Sequence, residues 1–412
     1  MSPRSLSHII ALLALGLAGV VDSAHGQGVP DTLAFATMSA GGIHTCGVTT
    51  SGAAYCWGWN SRGQLGDGTS GGERSHPARV AGDLRFGAIS AGDRYTCGLT
   101  PAGRAYCWGL NGWGQLGDGS LTERATPVLV NGDLSFKTIT TGFRHTCAVT
   151  SAGAAYCWGL NAGGQLGDGT ATHRSSPVIV AGGLRFTAVS AGEFHSCALT
   201  AAGEGYCWGV NGDGQLGDLS TTNRPSPVRV AGNVTFVAIS AGGFHTCALT
   251  AGGAAYCSGA NAEGQLGNGS TTGRVQPVRV AGGTTFIAVS AGLGHTCGVV
   301  RGGAALCWGA NGDGQLGDGS TTSRSRPARV AGAVRFATVQ AGGSGQAMAN
   351  HTCGLTDVGV LYCWGQNARG QLGDGTTTHR SRPVPVASSA ASAAAAVPPS
   401  GAGERELSRN EI

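Results

Sequence analysis

The residue types able to do chemistry recur along this chain at fixed spacing. A histidine stands two residues before a cysteine at His44, His145, His195, His245, His295 and His351, with Tyr95 in that place in the second copy. A second cysteine follows each first one after nine residues, which gives Cys46 with Cys56, Cys97 with Cys107, Cys147 with Cys157, Cys197 with Cys207, Cys247 with Cys257, Cys297 with Cys307, and Cys353 with Cys363. Imidazole and thiolate are zinc ligands, but a zinc site needs close Cys pairs converging on one point. Here one pair falls in each repeat of about 50 residues, so no metal is expected. The Gly-rich GQLGDG segments lack the Lys and the helix start that a phosphate loop requires, and they carry too few carboxylates for calcium. Glycoside hydrolysis needs two carboxylates at a set separation. Asp93, Glu193, Asp213, Glu263 and Asp313 are available, but no SxDxGxTW, GxSxG or HExxH motif occurs and nothing sets one carboxylate apart. The reading is a protein with no catalytic site and no cofactor.

The elements that must position these residues follow from their repetition. Seven copies begin at Phe35, Phe86, Phe136, Phe186, Phe236, Phe286 and Phe336, the last lengthened by GGSGQAMAN before His351. Each copy holds four short β-branched or apolar stretches, as in FVAIS, TCALT, YCWG and PVRV, separated by Gly, Asn or Asp, which predicts four strands. A hairpin between the second and third strands sets each Cys pair opposite itself and predicts seven disulfides, each worth roughly 2 to 3 kcal/mol in the loop-entropy account. One such sheet cannot bury both faces, whereas sheets stacked around an axis bury one another. The expected fold is all-β, a seven-bladed β-propeller of four-stranded antiparallel blades; an open solenoid of the same hairpins is the alternative. The recurrent His is read as satisfying backbone groups at a turn. Asp67, Asp118, Asp168, Asp218, Asp318 and Asp374 are read as bracing their loops through the Arg that stands three residues before each repeat's Pro, Arg74 in the first and Arg380 in the last.

The segments HTCALT, WGxN and GQLGDG resemble the repeat of the regulator of chromosome condensation family, from Phe35 to Val386; the fifth copy departs from it with Ser258 for Trp and Asn268 for Asp. The resemblance implies a seven-bladed propeller that binds partners with one face. It also brings two readings by analogy: guanine-nucleotide exchange, as in the family's founder, and a bacterial exported member similar in kind to β-lactamase-inhibitory propellers. Ordinary members do without the paired cysteines.

Residues 1–26, with Arg4 ahead of an apolar run too short to span a bilayer, read as a signal peptide, 27–34 as a linker, 35–386 as the propeller and the Ala/Ser/Pro-rich 387–412 as a disordered tail. These imply a secreted or periplasmic protein with no membrane span in its mature chain, a monomer. Charged residues make up 12% of the chain and the net charge of +4 is scattered, which argues against nucleic acid as a partner.

Residues present in every repeat are explained by the blade, so function is sought where the copies differ. Two turns vary, AGxxH between the first and second strands and NxxGQLG between the third and fourth, and antiparallel strands place both at one end. That rim presents Ile43, Trp59, Arg62, Asp93, Arg94, Trp113, Phe143, Arg144, Glu193, Phe194, Phe244, Leu293 and Met348. Aromatic and Arg side chains in exposed turns are the currency of protein recognition. The expected function is a non-catalytic scaffold binding a protein partner; a carbohydrate-binding or hydrolase propeller, with Trp59 and Trp113 stacking on sugar, is the alternative.

Overall fold

Each repeat folds on itself as a four-stranded antiparallel sheet, and the described residues of a computed structural model, 33–343, 345 and 350–387, hold seven such sheets. The first is built from Phe35–Ala40, His44–Thr49, Ala54–Trp59 and Glu73–Arg79, the last from Thr338–Ala341, His351–Leu355, Leu361–Gly365 and Arg380–Pro385. All four strands of every blade are consecutive, so the blade frame is that of the repeat and no strand is exchanged between chain ends. The segments read as signal peptide, all but the end of the linker, and all but the first residue of the tail lie outside the described residues.

Position in the blade dictates residue type. The second strand is buried along its length, as in His44–Thr49 and Tyr95–Leu99, because neighbouring blades cover both of its faces. Its residues are therefore small or apolar without alternation, as expected of a strand buried on both sides. The outermost strand is partly exposed, as in Arg124–Leu129, and each carries a proline such as Pro127 that withholds an N–H from the open edge. Between these strands every Cys pair is in register, Cys46 opposite Cys56 through to Cys353 opposite Cys363. All seven are disulfides with Cα separations of 4.0–4.1 Å, the close, non-hydrogen-bonded kind of antiparallel pair.

The junction between blades is a repeated set of bonds. The Gln of each GQLG turn offers its carbonyl to the next blade: Gln64 O accepts from Trp108 Nε1 at 2.9 Å and from Thr96 Oγ1 at 2.9 Å. The His of each blade bonds the hydroxyl of the next, His44 with Thr96, His145 with Ser196, His195 with Thr246, His245 with Thr296 and His295 with Thr352, all at 2.8–2.9 Å. This corrects the reading of these imidazoles as turn caps: they latch one blade to another. Tyr95 takes the role in the second blade by donating its hydroxyl to the carbonyl of His145. The ring closes with the same parts, since His351 meets Thr45 at 2.9 Å and Gln371 O accepts from Trp57 Nε1 at 3.0 Å.

Within the blade the loop braces are those read from the sequence. Asn111 Oδ1 accepts from Leu116 N at 3.0 Å and its amide donates to Asp118 at 3.1 Å, while Arg124 pairs with Asp118 at 3.1 Å. Equivalent Asp–Arg pairs of 2.9–3.2 Å occur in five other blades. In the fifth blade Asn268 replaces the Asp, and Arg274 turns to the carbonyl of Gly273 at 3.4 Å.

The innermost strands end in Ala-Gly pairs, Thr141-Gly142 in the third blade, that surround the central channel. A Cβ on Gly142 would lie 2.1 Å from the carbonyl oxygen of Gly192, and one on Gly192 would lie 2.3 Å from that of Gly242. Blades approach this closely at the axis only because those positions carry no side chain.

Candidate functional site

The two variable turns do meet on one face. Trp59 ends the third strand of the first blade, and guanidinium groups from both neighbouring blades lie over its ring, Arg94 at 4.8 Å and Arg369 at 4.9 Å from the centroid. Arg144 lies 4.7 Å over Phe143. Phe143, Phe194 and Phe244, from the third, fourth and fifth blades, form a row with centroids 5.3 and 6.2 Å apart. Phe194 and Phe244 are half-buried, and Leu293 of the sixth blade is also half-buried.

The remaining rim residues divide by distance from the axis. Ile43 is 1% exposed, Asp93 2%, and Phe143 and Glu193 7%, so these four are buried rather than standing in exposed turns as the sequence suggested. Asp93, Phe143 and Glu193 hold the first variable position of AGxxH, which follows directly on the glycine ring, whereas Ile43 holds the second. Asp93, Phe143, Glu193 and Leu293 border a central cavity of about 90 Å³, well below the roughly 300–1,000 Å³ of small-molecule sites. Glu193 accepts a hydrogen bond from the backbone of Gly345 in the lengthened turn at 2.7 Å. Burial, reinforced by the charge of Asp93 and opposed by that bond, pushes the Glu193 carboxyl up to about 7. Arg94 pairs with Asp93 at 3.6 Å. Met348 lies outside the described residues.

The NxxGQLG turns form an outer ring with a rule of its own. The residue before the turn glycine reaches the residue that precedes the outer-strand Arg of the following blade. Arg62 meets Glu123 at 3.0 Å, Arg369 meets Glu73 at 3.6 Å, Asp313 meets His379 at 3.7 Å, Ser323 donates to Glu263 at 3.0 Å, and Trp113 packs edge-on against His173 at 4.7 Å. Burial raises the Asp313 carboxyl against the opposing pull of His379 and Asn350. Arg369 is the rim residue the sequence reading missed. Its signal was present, because it occupies in the last blade the position that Arg62 occupies in the first, and those blades adjoin only once the ring is closed.

Among the described residues no group of three or more His, Cys, Asp or Glu could hold a metal ion, and no helix is long and apolar enough to cross a membrane. The six recurrent His are fully buried, one to a junction.

Comparison with known proteins bears on what such a face belongs to. The model of the RCC1-like domain matches residues 13–349 and that of the regulator of chromosome condensation (RCC1) repeat matches 359–397. The Arabidopsis thaliana ultraviolet-B receptor UVR8 is 34% identical over 113 residues, 26% of this chain and 26% of the receptor. The Arabidopsis protein RUG3, mitochondrial by name, is 36% identical over 91 residues, 22% of this chain and 20% of its own. The human regulator of chromosome condensation is 41% identical over 71 residues, 17% of each chain. The matched segments thus span about a quarter or less of these curated relatives. Human WBSCR16 superposes with a TM-score of 0.73 at 21% identity, covering 82% of this chain and 95% of that one. Yeast RCC1 (Prp20), solved with Kap60, superposes with a TM-score of 0.72 at 18% identity, covering 92% of each. These relatives are plant, human and yeast proteins. They overturn three expectations drawn from the apparent signal peptide and the resemblance: a bacterial origin, kinship in kind with β-lactamase-inhibitory propellers, and a secreted or periplasmic location. What survives is the repeat itself, and with a model matched over most of its length the chain belongs to the RCC1-like domain family.

Proposed function

We propose that this propeller is a non-catalytic scaffold that recognises a protein partner through the variable turns of one face. The observation that carries the reading is the continuous row of Phe143, Phe194 and Phe244 beside the Arg-covered Trp59. It is an apolar strip with a charged rim, the anatomy of a protein interface. The yeast relative is described as bound to Kap60, and its structure as bearing on binding to Gsp1p and histones, which fits a family that presents a face to proteins. The carbohydrate alternative loses its platform at Trp59, because guanidinium groups from both neighbouring blades lie over the ring that a sugar would stack on. Nucleotide exchange draws on the family's founder alone and no residue described above favours it.

The test is capture from an extract of the source cells by the intact chain, by Phe194→Ala/Phe244→Ala, and by Val358→Ser. Val358 is 74% exposed in the turn between the second and third strands of the last blade, at the opposite end. A protein retained by the intact chain and by Val358→Ser but lost with the Phe variant is expected; equal retention by all three would sink the reading.

A further inference from the structure

The face is divided by charge. Arg369, Arg62, Arg94 and Arg144 come from the seventh, first, second and third blades, which are consecutive around the ring, and Glu193, Asp213, Glu263 and Asp313 from the fourth, fifth and sixth. The Phe row runs from the first arc into the second. We propose, building on the reading of this face as a protein-binding surface, that the arginine arc centred on Trp59 receives a carboxylate-bearing segment of the partner, an acidic stretch of polypeptide whose apolar residues continue onto the Phe row.

The geometry supports this at three points. Arg94 and Arg369 lie over Trp59 and Arg144 over Phe143; stacking fixes a guanidinium plane through its π face and leaves the N–H fork on its edge, the arrangement that takes a carboxylate with two parallel bonds. One carboxylate of the arc, Asp93, is buried and stands 3.6 Å from Arg94 Nε, on the inner side of the guanidinium, and the outer carboxylates hold their arginines loosely. Glu123 and Glu73 pair with Arg62 and Arg369 at exposed positions, with side chains 38–50% accessible, and exposed pairs of that kind are weak and exchange readily. Finally, the opposite arc selects among anions. A long polyphosphate lying across the face would meet Asp213, Glu263 and Asp313, whereas a polypeptide can carry its negative charge locally and present neutral or basic residues further along. Polypeptide is therefore favoured over nucleic acid.

The probe is a short fluorescein-labelled peptide of alternating Glu and Tyr, followed by anisotropy with the full chain. A Lys-Tyr peptide and a single-stranded oligothymidylate serve as comparisons. The Glu peptide is expected to bind, to weaken as salt is raised, and to lose about tenfold or more in affinity with Arg94→Ala/Arg369→Ala. Arg94→Lys/Arg369→Lys keeps the charge but not the fork and should lose most of that affinity too; it serves where the alanine pair fails to fold, as judged by near-ultraviolet circular dichroism. Asp213→Asn/Glu263→Gln should leave Glu-peptide affinity unchanged or raise it. Equal binding of the Lys peptide or of oligothymidylate, or no loss in either arginine variant, would overturn the proposal. So would sedimentation showing a dimer of the chain that the arginine variants disperse, since a second copy would then be the occupant. If the Phe variant still abolishes capture of a cellular protein while the peptide assay fails, the scaffold reading stands and only the assignment of the arginine arc falls.

Discussion

Leu219 sits in a backbone conformation that the other six blades give to glycine. Its φ is 69°, against 81–86° at Gly68, Gly119, Gly169, Gly269, Gly319 and Gly375, and in each case the N–H bonds the outer strand of the next blade, here Val275 O at 2.9 Å. A side chain in the left-handed region costs roughly 1–2 kcal/mol, and at 62% exposure Leu219 recovers little of this by packing. Leu219→Gly should therefore stabilise the chain by about 1 kcal/mol, part of the gain being offset by the freer unfolded glycine. The measurement is a shift in denaturant midpoint at unchanged slope; no shift would mean the leucine packs where the structure leaves it exposed. This strain was legible in the sequence, as GDLS among six GDGS-type or GNGS-type turns. The status of the rim residues was only half legible. Which turns vary can be read from seven aligned copies, but whether a variable residue faces solvent depends on its distance from the axis, which is why Phe143, next to the glycine ring, is buried while Phe194, one position further on in its own turn, remains accessible. The place of Arg369 on the rim was legible from its equivalence to Arg62, but its contact with Trp59 was not, because those blades adjoin only once the ring closes.

At the scale of the blade, the disulfides stabilise what a Gly-rich sheet with few large side chains holds poorly. Each ties the second strand to the third with ten residues of separation, and removing one as Cys147→Ala/Cys157→Ala should cost roughly 2–3 kcal/mol from lost constraint on the unfolded chain. All fourteen sulfurs are fully buried, so reductant reaches them only through opening. The rate of thiol labelling under dithiothreitol should consequently rise with urea in step with unfolding; fast, urea-independent labelling would show that blades open singly. Strand number, Cys pairing and the Asp–Arg brace were all readable because each lies inside one repeat, where spacing and turn chemistry bound the partners. The junction bonds were not. A His that bonds the next blade's Thr has the same sequence spacing in every copy as one that caps its own turn, and only the curvature of the stack decides between them.

The ring as a whole has one weak seam and one shared sensitivity. Between the fourth and fifth blades Ser258 stands where six blades have a buried Trp, so Gln215 O receives Thr246 Oγ1 at 2.8 Å without an indole beside it, and the apolar core, continuous at other junctions, separates there into two clusters. Amide exchange should be fastest at this seam, in peptides spanning 214–219 and 255–260, and a partner seated on Phe194 and Phe244, which straddle it, should slow that exchange; uniform protection around the ring would refute the seam. The shared sensitivity comes from the six latching histidines. Burial, helped at His44 by His351 and at His195 by its neighbours, lowers them to about 3 for His44, His145, His195 and His295 and about 4 for His245 and His351. In the unfolded chain they titrate near the ordinary value of about 6.5. As pH falls below that value the unfolded state takes up protons that the folded state refuses, so stability is full above about pH 7 and declines from there toward pH 4. With six sites the limiting slope approaches roughly 8 kcal/mol per pH unit. Glu193, raised to about 7, works the other way, since the folded state binds its proton more readily, but it is one group against six. Below pH 4 the Asp carboxyls add to the loss: at Asp118 burial opposes the charge, yet the bonds from Ser120, Arg124 and Asn111 outweigh it and hold the carboxyl below its usual value. Urea midpoints taken between about pH 7.5 and about pH 4.5 should fall steadily; a flat profile would mean that the imidazoles are hydrated and that the blades are latched by something else.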